Sequence, residues 1–131
     1  MARILVIDDD NMILKSAHRL LERAGHEVWE SSSPKTALNM LATIEDVDVV
    51  ITDVYMPGMN GVELVRRLSD RKTCRHVVAM TGGGVLHTTG ELLAQARIAG
   101  AERTLEKPFF PGELVAAVDD VMRRPVQSCL N

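Results

Sequence analysis

The sequence predicts one α/β domain built on a doubly wound, five-stranded parallel sheet with helices on both faces. Three observations carry this expectation. Five short strand-like segments alternate with five segments of helical spacing. Most of the strand segments are unbroken apolar runs, the mark of strands covered on both faces. The chain is also 131 residues long and 46% hydrophobic, which suits a single domain whose core needs neither a metal nor a disulfide staple.

The elements follow in order. Residues 2–7 (ARILVI) read as a buried strand, and residues 12–24 switch to helical spacing through Leu14, Ala17, Leu20, Leu21 and Ala24 before Gly25 stops them. A short strand at 26–30 precedes Ser33-Pro34, a side-chain cap followed by a proline suited to a helix's first turn, and the second helix runs to about Ile44. The third strand is 47–52, and the helix after Gly61 buries Val62, Leu64, Val65 and Leu68. The fourth strand is 76–80, followed by the glycine-rich TGGGVLHTTG and a helix from about Glu91 to Ala99 closed by Gly100. Residues 101–105 form a short fifth strand, and Pro111 opens a last helix to about Met122. Residues 1–124 therefore form the domain and 125–131 an aperiodic tail, with no effector domain expected on this chain.

Composition narrows the function. Fifteen Lys and Arg against eighteen Asp and Glu give a net charge of −3, and with four aromatic residues the chain lacks the basic field and stacking platforms of a nucleic-acid binder. No apolar run is long enough for a membrane span or a secretory leader, so a soluble cytoplasmic protein is expected. Cys74 and Cys129 lack metal-ligand spacing and read as free thiols. The four histidines are scattered, and none reads as a ligand.

In folds of this class, chemistry collects at the carboxyl ends of the strands where the strand order reverses. The first strand ends in Asp8, Asp9 and Asp10, the third in Asp53, the fourth in Thr81, and the fifth runs into Lys107-Pro108. A lone aspartate there is more often a helix cap, and Asp10 is expected to be one. Clustered carboxylates differ, since two unit charges about 4 Å apart repel by roughly 4 kcal/mol at an effective dielectric near 20. If the strand order is 2-1-3-4-5, strands one and three lie about 4.8 Å apart, and Asp8 or Asp9 can meet Asp53 across one divalent ion. Carboxylates without His or Cys point to Mg²⁺. Lys107, about 10 Å away by strand spacing, can reach into that site. Such an arrangement suits phosphoryl transfer with Asp53 as the acceptor, forming an acyl phosphate.

These residues resemble the receiver domains of two-component response regulators. The resemblance spans about residues 2–122 and rests on ILVIDDDN, DVVITDVYMPGMNGVEL, VVAMTGG and LEKPF, in order and near the family's spacings. It implies a flavodoxin-like receiver fold with strand order 2-1-3-4-5, Asp53 as phosphorylation site, and Mg²⁺ held by Asp8, Asp9, Asp53 and the main-chain carbonyl of Tyr55. It further implies that Thr81 and Lys107 contact the phosphoryl group and that the Lys107-Pro108 bond is cis. The partners implied are a histidine kinase or histidine phosphotransfer protein as donor and a downstream protein as target. The protein is then a phosphorylated signalling domain rather than an enzyme.

Three departures stand out. Three residues before Lys107, where relatives carry Tyr or Phe, the residue is Thr104. Thr81 and Lys107 are 26 residues apart, with the surplus in Gly82-Gly83-Gly84. Phe110 occupies the last helix's N-cap position and offers no side-chain oxygen. Two rivals remain. A haloacid-dehalogenase-like phosphatase would use the D-x-D of Asp8 and Asp10 but finds Met12 where it needs Thr or Val. A degenerate receiver would act as a phosphorylation-independent adaptor, although all five polar residues are present.

Overall fold

A computed structural model describes residues 1–54, 61–70, 74–82, 94–97 and 99–124, with the main chain alone at 69, 70 and 74. The strands are β1 (Arg3–Ile7), β2 (Glu27–Ser31), β3 (Val47–Asp53), β4 (Cys74–Thr81) and β5 (Arg103–Glu106). They form one parallel sheet in the order β2-β1-β3-β4-β5, as expected. The helices are α1 (Asn11–Arg23), α2 (Pro34–Leu41), α3 (Gly61–Asp70), the helical residues 94–97 and 99 as α4, and α5 (Pro111–Met122).

Alternation along the strands divides the core in two. Leu5, Ile7, Val50 and Val54 join Ala37 and Leu41 of α2, Leu64, Val65 and Leu68 of α3, and Ala96 and Ala99 of α4. Ile4, Val6, Val49, Ile51, Val78 and Met80 join Leu14, Ala17 and Leu21 of α1 and Leu114, Val118 and Val121 of α5. The apolar run of β1 thus serves both faces.

Local chemistry sets the ends. Asp10 caps α1 as expected, its side chain accepting from the Met12 and Ile13 N–H groups, and Ser33 caps α2 by accepting from Thr36 N–H. Gly25 follows α1 at φ +96°, a backbone angle that glycine takes without strain. The second helix ends at Leu41, short of Ile44, because main-chain bonds from Ala42, Thr43 and Ile44 to Asn39 and Met40 close the turn there. Strand β4 begins at Cys74, earlier than its apolar stretch, and β5 lies later, at 103–106. Phe110 indeed gives α5 no oxygen cap; the Glu113 side chain instead accepts from Phe110 N–H at 2.9 Å.

Among the described residues, His18, His26 and His76 have structural partners. His26 Nδ1 accepts the Ala2 N–H at 2.9 Å, tying the start of β1 to the entry of β2. Burial lowers the His26 pKa, with the Asp119 charge opposing and the chain's amino terminus assisting. An unfolded chain therefore takes up this proton more readily. The resulting stability is complete above the ordinary histidine pKa near 6.5 and declines as the pH falls below it. Urea titrations at pH 7.5 and 5.5 should show wild type losing more stability than His26→Gln over that interval.

Candidate functional site

The residues singled out in the sequence converge at the carboxyl edge of the sheet. Asp8 follows β1 directly, Asp53 ends β3, Thr81 ends β4 and Lys107 follows β5. The β1–β2 ladder extends one residue further through Asp8 N–H to the Ser31 carbonyl at 3.1 Å. The Lys107 N–H donates to the Thr81 carbonyl at 2.8 Å, and Val54 N–H to the Met80 carbonyl at 3.0 Å. Main-chain pairing thus carries the four strand ends to one place.

Asp8, Asp9 and Asp53 each offer one carboxylate oxygen, and the three atoms lie within 4.8 Å of one another. Asp8 and Asp53 are buried, while Asp9 is exposed and opens the group to solvent. Lys107 Nζ donates to Asp8 Oδ2 at 2.9 Å and to Asp53 Oδ2 at 3.1 Å. The side chain therefore closes the gap that strand spacing leaves. Asp8 Oδ1 accepts the Asp10 N–H at 2.9 Å, so both of its oxygens are held.

Burial raises the Asp8 carboxyl pKa, the Asp10 amide and Lys107 work against it, and the Asp53 charge adds to the rise. Burial alone would lower the Lys107 pKa. The hydrogen bond to Asp8 and the charges of Asp53 and Asp8 outweigh it, leaving the ammonium above its ordinary pKa. Three carboxylates faced by one ammonium retain excess negative charge, and hard oxygen donors without imidazole or thiolate can hold a hard divalent cation. The residues present fit such an ion.

Thr81 is fully buried at the end of β4, one residue beyond the Asp53–Met80 register pair. The Lys107-Pro108 bond is cis. Tyr55 and the glycine-rich stretch from Gly83 to Gly90 lie outside the described residues. Two further contacts had no clear signal in the sequence. Thr104, in place of an aromatic residue, accepts a hydrogen bond from Arg97 Nη2 of α4 at 3.1 Å. Thr52 is buried beside Asp53 and donates to the Asp53 carbonyl at 3.0 Å; its one trace is a hydroxyl at the end of the apolar run VVIT.

A doubly wound sheet with an acidic cluster and a lysine where the strand order reverses defines an α/β domain equipped for charged ligands at its switch point. The chain belongs to the response regulator receiver domains, whose family model matches residues 4–119. It is 28% identical over 124 residues to the response regulator SaeR of Staphylococcus aureus, covering 95% of this chain and 52% of that one. The chain thus spans about half the length of the curated relatives it matches. A response regulator receiver domain protein from Clostridium thermocellum superposes with TM-score 0.83 at 34% identity, covering 95% of this chain and 96% of that one. The chemotaxis response regulator CheY4 of Vibrio cholerae gives 0.81 at 29% identity, covering 92% and 98%. Among the described residues, no helix is long and apolar enough to cross a membrane.

Proposed function

We propose that Asp53 accepts a phosphoryl group from a phosphohistidine on a histidine kinase or histidine phosphotransfer protein, and that the modified domain signals through a downstream protein. The observation that carries this reading is the convergence of Asp8, Asp9, Asp53 and Lys107 at one edge of the sheet. Asp8, Asp9 and Asp53 would hold Mg²⁺, joined by the main-chain carbonyl of Tyr55. When bound, Mg²⁺ supplies charge neutralisation on the phosphoryl oxygens.

The chain's own groups do the rest. An Asp53 carboxylate oxygen bonds to phosphorus as the P–N bond breaks; the departing imidazole keeps that electron pair and takes up a proton. Lys107, already on Asp53, pairs with a phosphoryl oxygen, and the Thr81 hydroxyl donates to another. Water later hydrolyses the acyl phosphate, so turnover is confined to Asp53 itself. We take residues 1–124 as the receiver unit, supported by the family match to 119 and the end of α5 at Met122. The proposed setting is the cytoplasm, where a kinase of this class would meet it. A phosphatase reading is not favoured, because Asp10, the second acid of its D-x-D, is engaged in capping α1.

Acetyl phosphate tests this reading. Incubation with it should label Asp53 alone, and only with Mg²⁺ present. A phosphoryl group mapped to another residue, or formed equally well in EDTA, would overturn the assignment.

A further inference from the structure

We propose that Thr52 is a positioning residue for the acceptor, its hydroxyl holding the peptide plane that follows Asp53 so that the carboxylate stays aimed into the acidic cluster. The proposal rests on the reading of Asp53 as phosphoryl acceptor.

Successive strand residues point to opposite faces, so the Thr52 side chain lies on the face opposite the Asp53 carboxylate. It shares its parity with Val50 and Val54 of the apolar layer, and it stands between Ile7 of β1 and Ala79 of β4 in register. Valine would match that space almost atom for atom. A hydroxyl there, fully buried, is costly unless it is bonded. Its bond goes to the Asp53 carbonyl at 3.0 Å.

That carbonyl occupies a particular place. The described β1–β3 register ends at Ile7 and Thr52, so Asp53 lies just past it on that side. On the other side, the N–H of the same peptide unit, from Val54, donates to the Met80 carbonyl at 3.0 Å. The unit is therefore held at both its oxygen and its nitrogen. Tipping it turns the main chain at Asp53 and swings the Cβ that carries the carboxylate. A reacting group displaced by an ångström loses rate steeply.

Two variants separate the hydroxyl from its shape. Thr52→Val keeps the branched side chain and removes the donor; it should slow acetyl phosphate labelling about tenfold at saturating Mg²⁺ and weaken Mg²⁺ binding by calorimetry a few-fold. Thr52→Ser loses the methyl, keeps the donor, and should recover labelling to within about twofold of wild type. Thermal melts show whether each variant is folded at the assay temperature. Labelling of folded Thr52→Val at the wild-type rate, or of folded Thr52→Ser tenfold slowly, would overturn the proposal. Should Thr52→Val fail to fold, the Thr52→Ser result decides alone. Wild type unlabelled at Asp53 would instead overturn the acceptor reading beneath it.

Discussion

Asp9→Ala should weaken Mg²⁺ binding at least tenfold, whereas Lys107→Met should strengthen it while costing the metal-free protein about 3 kcal/mol of stability. Asp9 is the exposed member of the acidic group and has no role in the core, so its loss removes one donor and one charge while leaving the fold intact. Lys107 is different. Its ammonium lies on Asp8 and Asp53 at 2.9 and 3.1 Å, occupying oxygens that a divalent cation would use. Removing it takes the ammonium away from two buried carboxylates that repel each other, which destabilises the metal-free chain and rewards any cation that enters. Taken from the sequence as a phosphate partner only, Lys107 would leave metal binding largely intact; the double contact, which the sequence does not show, changes that expectation. Calorimetric Mg²⁺ titration of both variants, with urea denaturation in EDTA and in Mg²⁺, checks the pair. Equal losses of affinity would overturn the division of roles. Lys107→Met should regain most of its lost stability in Mg²⁺.

What the sequence made legible follows from periodicity and order. The apolar run of β1, buried on both faces, and the alternation with amphipathic helices specify a parallel sheet, and the receiver resemblance supplies its strand order. Asp8, Asp53, Thr81 and Lys107 were legible as a site because each closes or follows a strand, so topology alone gathers them. Pairings set by side-chain rotamers were not. Thr104 meets Arg97, and His76 of β4 meets Glu102 at 2.9 Å, yet neither pair has a spacing that announces it. His26 likewise reads as one scattered histidine until its ring is seen accepting the Ala2 N–H. Cap chemistry falls between: Asp10 and Ser33 follow a rule of residue type, while Glu113 reaching back to Phe110 replaces the missing oxygen cap by another route.

Gly61→Ala should destabilise the domain by about 3 kcal/mol, the upper part of the usual overpacking range, and suppress labelling of Asp53 with it. Gly61 begins α3, and a Cβ placed on it would collide with the Cα, carbonyl carbon and carbonyl oxygen of Val54. Those are main-chain atoms and cannot turn aside as a flexible side chain would. Val54 is also held by its N–H bond to the Met80 carbonyl, so the strain must move either α3 or the strand end that carries Asp53. Moving α3 opens the layer in which Val62, Leu64, Val65 and Leu68 pack on the sheet. Alanine's better helix propensity returns at most about 1 kcal/mol, too little to offset the collision. Urea denaturation measures the first effect. Acetyl phosphate labelling, at a temperature where the variant is folded, measures the second. A stable Gly61→Ala protein labelled at the wild-type rate would show that α3 can back away from Val54 without disturbing Asp53.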